Sequence, residues 1–147
     1  MDRGLAVVLT AIGGGLVALQ APINSMLGRS VGTFQAAFVS FSIGTLVLAL
    51  IATLAQGGLG QVGEARHLSW YYLTGGLLGA AYVTTILVTV RTLGAGGAVA
   101  ATIAGQLTIS VLVDHYGWLG VNRDPVDALK LAGVALLAVG TYLVVRD

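Results

Sequence analysis

Cysteine is absent from this 147-residue chain, which excludes disulfides and thiolate metal sites. Charge is scarce: 9% of residues are Asp, Glu, Lys or Arg, against about a quarter in an ordinary soluble domain. With a formal net charge of +1 and no basic tract, the chain has no field to recruit nucleic acid, which is set aside as a partner. The two histidines, His67 and His115, stand far apart and form no ligand spacing. No nucleophile–base pair, metal cluster or phosphate loop appears, so no enzyme is expected and no cofactor is implied.

What the chain has instead is apolar length. Hydrophobic residues make up 56% of it, and they gather into runs over 5–23, 34–55, 70–90, 93–113 and 129–145. At 1.5 Å per residue these measure roughly 25 to 33 Å, close to a hydrocarbon core of about 30 Å. The expected fold is therefore all-α: a single membrane domain over 1–147 with five transmembrane helices. The first run begins just after Met1-Asp2-Arg3 but exceeds a usual signal core, and four more spans follow it; it is read as a retained helix. Polar punctuation falls at 24–33, 56–69 and 114–127, and the link between the third and fourth spans is essentially Arg91-Thr92. So short a link implies an antiparallel hairpin of those two helices.

Five spans place Arg3, Arg66, Arg123 and Lys130 on one side and Arg29, Arg91 and Arg146 on the other. Lys and Arg asymmetry normally sets orientation, and here it nearly vanishes. Such a chain can insert both ways and pair with an inverted copy, and inverted repeats are a recurring architecture of secondary transporters. Selection of one orientation by the one-charge difference, by lipid or by a partner is the alternative.

Gly75 and Gly79, and Ala101 and Gly105, put small residues four apart in the third and fourth spans. Lipid gives no hydrophobic drive between helices, so such pairs mark faces where backbones approach. The first span ends in Gln20-Ala21-Pro22-Ile23-Asn24, with two amides on one helical face and a proline that weakens the helix between them. Asn24 is read either as a binding group or as a headgroup-level helix finish, and Gln20, one turn deeper, as an inward polar contact. Gln106 lies near the middle of the fourth span, where an unpaired amide is costly, so it faces protein or a wet cavity. Interhelical bonding and substrate contact are both open for it. Tyr82, central in the third span and followed by Thr84 and Thr85, offers an apolar face with one hydroxyl.

Several other polar residues carry less weight. Ser40 and Ser42 can bond back to their own helix. Trp70, Tyr71, Tyr72, Tyr116 and Trp118 fall at span boundaries and read as an aromatic belt. Lys130 near the start of the fifth span reads as an interfacial anchor. Asp114 and His115 could relay protons, though capping and solvation at the interface account for them better. No carboxylate lies in the central part of any span, and a proton-coupled cation exporter would be expected to carry one.

Gln20-Ala21-Pro22-Ile23-Asn24 followed by Leu27-Gly28-Arg29, the run Val39-Ser40-Phe41-Ser42-Ile43-Gly44-Thr45, Gly75-Gly76-Leu77-Leu78-Gly79 with Tyr82, and Gly105-Gln106 leading to Asp114-His115-Tyr116-Gly117-Trp118 resemble the YdcZ-like (DUF606) branch of the drug/metabolite transporter superfamily. The resemblance spans essentially the whole chain. It implies a five-helix unit that pairs into a ten-helix, inverted-repeat transporter, and residence in a bacterial inner membrane. The chain departs from the small multidrug resistance branch, which has four helices and an acidic residue in the first. Here that helix offers only Gln20 and Asn24.

The expected function is secondary transport of a small organic solute by alternating access, by an antiparallel homodimer in which Gln20, Asn24, Tyr82 and Gln106 line the substrate site. The competing expectation is a non-transporting scaffold that binds a partner membrane protein.

Overall fold

A computed structural model describes residues 2–146, and every regular element among them is helical. Helix α1 is Arg3–Val31 and α2 is Thr33–Gln56. A 43-residue helical stretch, Thr74–Tyr116, is interrupted at Gly94, whose φ of 69° and ψ of 172° are not helical. Its two arms are α3 (74–93) and α4 (95–116), and α5 is Ala128–Val145. Short 3-10 turns at Gly60–His67, Trp70–Leu73 and Trp118–Gly120 fill the connections. Each of the five helices carries an expected span. The break between α3 and α4 falls at Gly94 rather than at Arg91-Thr92, because glycine alone adopts that φ without a Cβ penalty.

The first polar segment was expected to lie outside the helix, and it does not. Helix α1 runs through Pro22 to Val31. Proline removes one backbone donor, a loss that membrane helices tolerate when neighbouring helices support the freed groups. That support is visible in the burial of Ala21, Asn24, Ser25 and Gly28, the face that α1 turns to the rest of its bundle. The third span also starts later than its apolar run, since Trp70–Leu73 is a 3-10 turn and the α-helix begins at Thr74.

Gly32 alone joins α1 to α2, with φ 95° and ψ 152°. That conformation is essentially a glycine one, and a Cβ would also stand 2.6 Å from Gln35 Oε1, the movable end of a flexible side chain. The Gly32 N–H donates to Gly28 O at 3.1 Å and its carbonyl accepts from Ala36 N at 2.9 Å, so the chain reverses with its helix-end groups satisfied. At the far end of α2, left-handed Gly57 donates its N–H to Thr53 O, a glycine C-terminal stop.

The chain forms two compact units, divided between Arg91 and Thr92. In the N-terminal unit, Ala36 and Ala37 of α2 pack with Val83 and Leu87 of α3, flanked by Leu27 and Tyr82. Two alanines in succession let α2 approach α3 closely, which is how helices associate where lipid is as apolar as the side chains. Gly79 supports the same approach, since a Cβ there would touch the Phe41 ring at 3.6 Å. Gly75 and Gly105, by contrast, have open space around them. In the C-terminal unit the close glycine is Gly97, where a Cβ would stand 3.3 Å from Val145 Cγ2. Thr141 Oγ1 donates to Ala100 O at 3.1 Å, fixing α4 and α5 as an antiparallel pair.

Outside these contacts the helices present leucine, isoleucine, valine and phenylalanine outward, among them Leu16, Phe38, Leu46, Leu78 and Leu136. A helix apolar on all sides belongs in lipid.

Candidate substrate site

Asn24 and Ser40 stand eight residues on either side of Gly32. Two helices rising equally from a one-residue turn bring equidistant positions together. Four residues out, a Cβ on Gly28 would meet Ala36 Cβ at 3.7 Å; eight residues out, Asn24 Nδ2 donates to Ser40 Oγ at 3.1 Å. Asn24 is 5% exposed. Buried polar groups in hydrocarbon need partners, and the serine supplies one for a single arm of the amide.

Beside this bond lies a cavity of about 10 Å³, lined by Val17, Gln20, Ala21, Asn24, Tyr82, Val83, Ile86 and Leu87. That is room for about one water molecule. Three of the four expected site residues, Gln20, Asn24 and Tyr82, therefore line one space between α1 and α3. Gln20 is exposed, Tyr82 half-buried and Asn24 buried. The polar equipment is neutral: amide donors and acceptors plus a phenol, with no carboxylate or ammonium among the lining residues. Such a set orients a solute by hydrogen bonds rather than by charge.

Gln106 belongs to the C-terminal unit. It is exposed on α4, and its amide makes no hydrogen bond among the described residues. The face of α4 turned to α5 is set by Gly97, Ala100 and Val111, and helical spacing puts Gln106 on the opposite face. Thr84 and Thr85, which follow Tyr82, line an open groove with Phe34, Leu77 and Val88 rather than the Tyr82 cavity. Thr85 Oγ1 donates to Ala81 O at 2.9 Å, back into its own helix.

A family described as "Putative inner membrane exporter, YdcZ" matches residues 5–143. The chain belongs to this family. It is 29% identical over 150 residues to "Inner membrane protein YdcZ" of Escherichia coli (strain K12), a match that covers 99% of this chain and 98% of that protein. No solved structure matches. The chain is thus a multi-pass protein of the bacterial inner membrane and a member of a transporter family.

Within this YdcZ-family chain, Ser40, which carried little weight in the sequence, is the hydrogen-bond partner of Asn24 beside the candidate site. A serine within a span usually bonds to its own helix, and only the turn at Gly32 makes it a neighbour of Asn24. The Asp114-His115 pair and Lys130 serve the connection between α4 and α5. His115 Nδ1 accepts from Val126 N at 3.1 Å, Asp114 O accepts from Asp124 N at 2.8 Å, and Arg123 Nε donates to His115 O at 3.1 Å. Lys130 pairs with Asp124 and donates to Pro125 O at 3.1 Å.

Proposed function

We propose that this YdcZ-family protein carries a small, neutral or weakly charged organic solute across the inner membrane by alternating access, working as an antiparallel pair of five-helix subunits. The observation that supports this most directly is the convergence of Gln20, Asn24 and Tyr82 on one cavity beside the Asn24–Ser40 bond. A cavity of about 10 Å³ admits no organic solute, so binding requires α1 and α3 to part. That is what a site exposed alternately to two compartments must do. Gln106, an amide near mid-span with no bond inside its own unit, calls for a second polar surface, and a substrate pathway is one way to supply it.

The nearly balanced distribution of Arg and Lys supports dual insertion, and an inverted second copy would complete the ten-helix arrangement. The test is uptake into proteoliposomes over a panel of metabolites. Asn24→Ala and Gln106→Ala are expected to lower transport of the identified substrate at least tenfold; normal transport by both variants removes these residues from the site. The scaffold reading has one observation in its favour, the tight packing around Asn24. It predicts that no compound on the panel moves.

A further inference from the structure

The segment between α4 and α5 is held onto the end of α4 by a small set of hydrogen bonds, one of which depends on protonation. His115 Nδ1 accepts the Val126 N–H at 3.1 Å. An imidazole nitrogen accepts only through its lone pair, so the neutral ring must carry its proton on Nε2. Protonation puts a hydrogen on Nδ1 as well, and two N–H groups then face each other. Histidine is the side-chain type that changes charge nearest neutral pH.

We propose that the His115–Val126 bond is a proton-released latch that holds the α4–α5 connection against one wall of an open-sided cavity between those helices. His115 and Val126 both line that cavity, which holds about 290 Å³ together with Thr108, Leu112, Leu131 and Val134. Release of the latch frees the backbone at Val126 from one wall of it. This goes beyond the transport reading, since none of these residues is among the proposed substrate contacts.

The charged and titratable neighbours are few. On α4, Asp114 adjoins the ring in sequence and Tyr116 stands edge-on to it with ring centroids 4.8 Å apart. In the connection, Arg123 donates to the His115 carbonyl at 3.1 Å, and Asp124 donates its backbone N–H to Asp114 O at 2.8 Å. From α5, Lys130 pairs with Asp124, while Asp127 Oδ1 accepts from Lys130 N at 2.8 Å and caps the helix. None of these groups restores an acceptor for the Val126 N–H once the ring is protonated. The remaining bonds keep the segment attached, so its release is local.

Hydrogen–deuterium exchange of the detergent-solubilised full chain tests the latch directly, with rates over 117–128 corrected for the intrinsic pH dependence of exchange. The native protein is expected to exchange about five- to tenfold faster at pH 5.5 than at pH 8, as loss of a single hydrogen bond implies. His115→Asn places Oδ1 where Nδ1 stands and should abolish that difference. His115→Ala should exchange fast at both pH values. Equal corrected rates for the native protein at the two pH values overturn the proposal, as does a pH difference that survives in His115→Asn. The readout requires neither transport nor pairing, so its failure is distinct from failure of the transport reading.

Discussion

The Asn24 amide and the Ser40 hydroxyl meet at 3.1 Å because Gly32 lies midway between them in the chain. The bond ties α1 to α2 eight residues from their turn, beside the proposed substrate cavity, as a polar cross-link between those two helices. A double-mutant cycle measures it. Ser40→Ala and Asn24→Ala are each expected to destabilise the fold, and their coupling should be about 0.6 to 2 kcal/mol, the range for interhelical hydrogen bonds in membranes. Unfolding in mixed micelles gives the number. Simple additivity of the two substitutions would mean that the bond contributes nothing.

Gly32 is under two constraints that can be separated. Its backbone conformation costs a non-glycine residue about 1 to 3 kcal/mol, and a Cβ would also collide with the flexible end of Gln35 at 2.6 Å. Gly32→Ala should therefore lower stability by that amount, and Gln35→Ala in the same chain should rescue little of it. Full rescue by Gln35→Ala would show that crowding, and not backbone strain, demands glycine here.

Gly79 is a different case, since its backbone is helical and a Cβ would meet the Phe41 ring at an ordinary 3.6 Å. Gly79→Ala is expected to be neutral or slightly stabilising, because it adds a contact and raises helix propensity. Gly79→Leu must push Phe41 aside and should cost about 1 to 3 kcal/mol. Thermal unfolding of the two variants distinguishes this graded response from an absolute requirement for glycine, which would make both equally damaging.

The spans were legible because an apolar run of about 20 residues has one physical outlet in a bilayer. Their ends were harder to read. Pro22 looks like a terminus when each helix is considered alone, and α1 passes through it because Ala21, Asn24 and Gly28 are held by other helices. The polar stretch 24–33 hid its turn for the same reason: among ten residues that could host one, Gly32 does so. Without that pivot, Ser40 cannot be placed opposite Asn24. Gln20, Asn24 and Tyr82 were recognisable singly, as polar groups in apolar runs, whereas their convergence depends on the packing of α1 against α3. Gly105 looked like a packing residue by its spacing from Ala101, yet Gly97 makes the close approach in that unit. Four-residue spacing identifies a small-residue stripe without saying whether a helix covers it.

The charge balance gives the last prediction, and the absence of cysteine makes it clean to measure. A single cysteine introduced beside either terminus is the only thiol in the chain, so labelling by an impermeant reagent reports which side that terminus occupies. With Arg3, Arg66, Arg123 and Lys130 on one side against Arg29, Arg91 and Arg146 on the other, each terminus should be labelled in part from both faces of the membrane. Orientation follows the positively charged residues near span ends, so small changes should tip it. Two lysines added after Val145 favour a cytoplasmic C-terminus, and replacement of Arg29 and Arg91 by alanine favours the opposite. Each change should convert mixed labelling into labelling from one face. If the native chain is labelled from a single face and the two added lysines do not alter the pattern, insertion is fixed by something other than these residues, and an inverted pair of identical chains is ruled out.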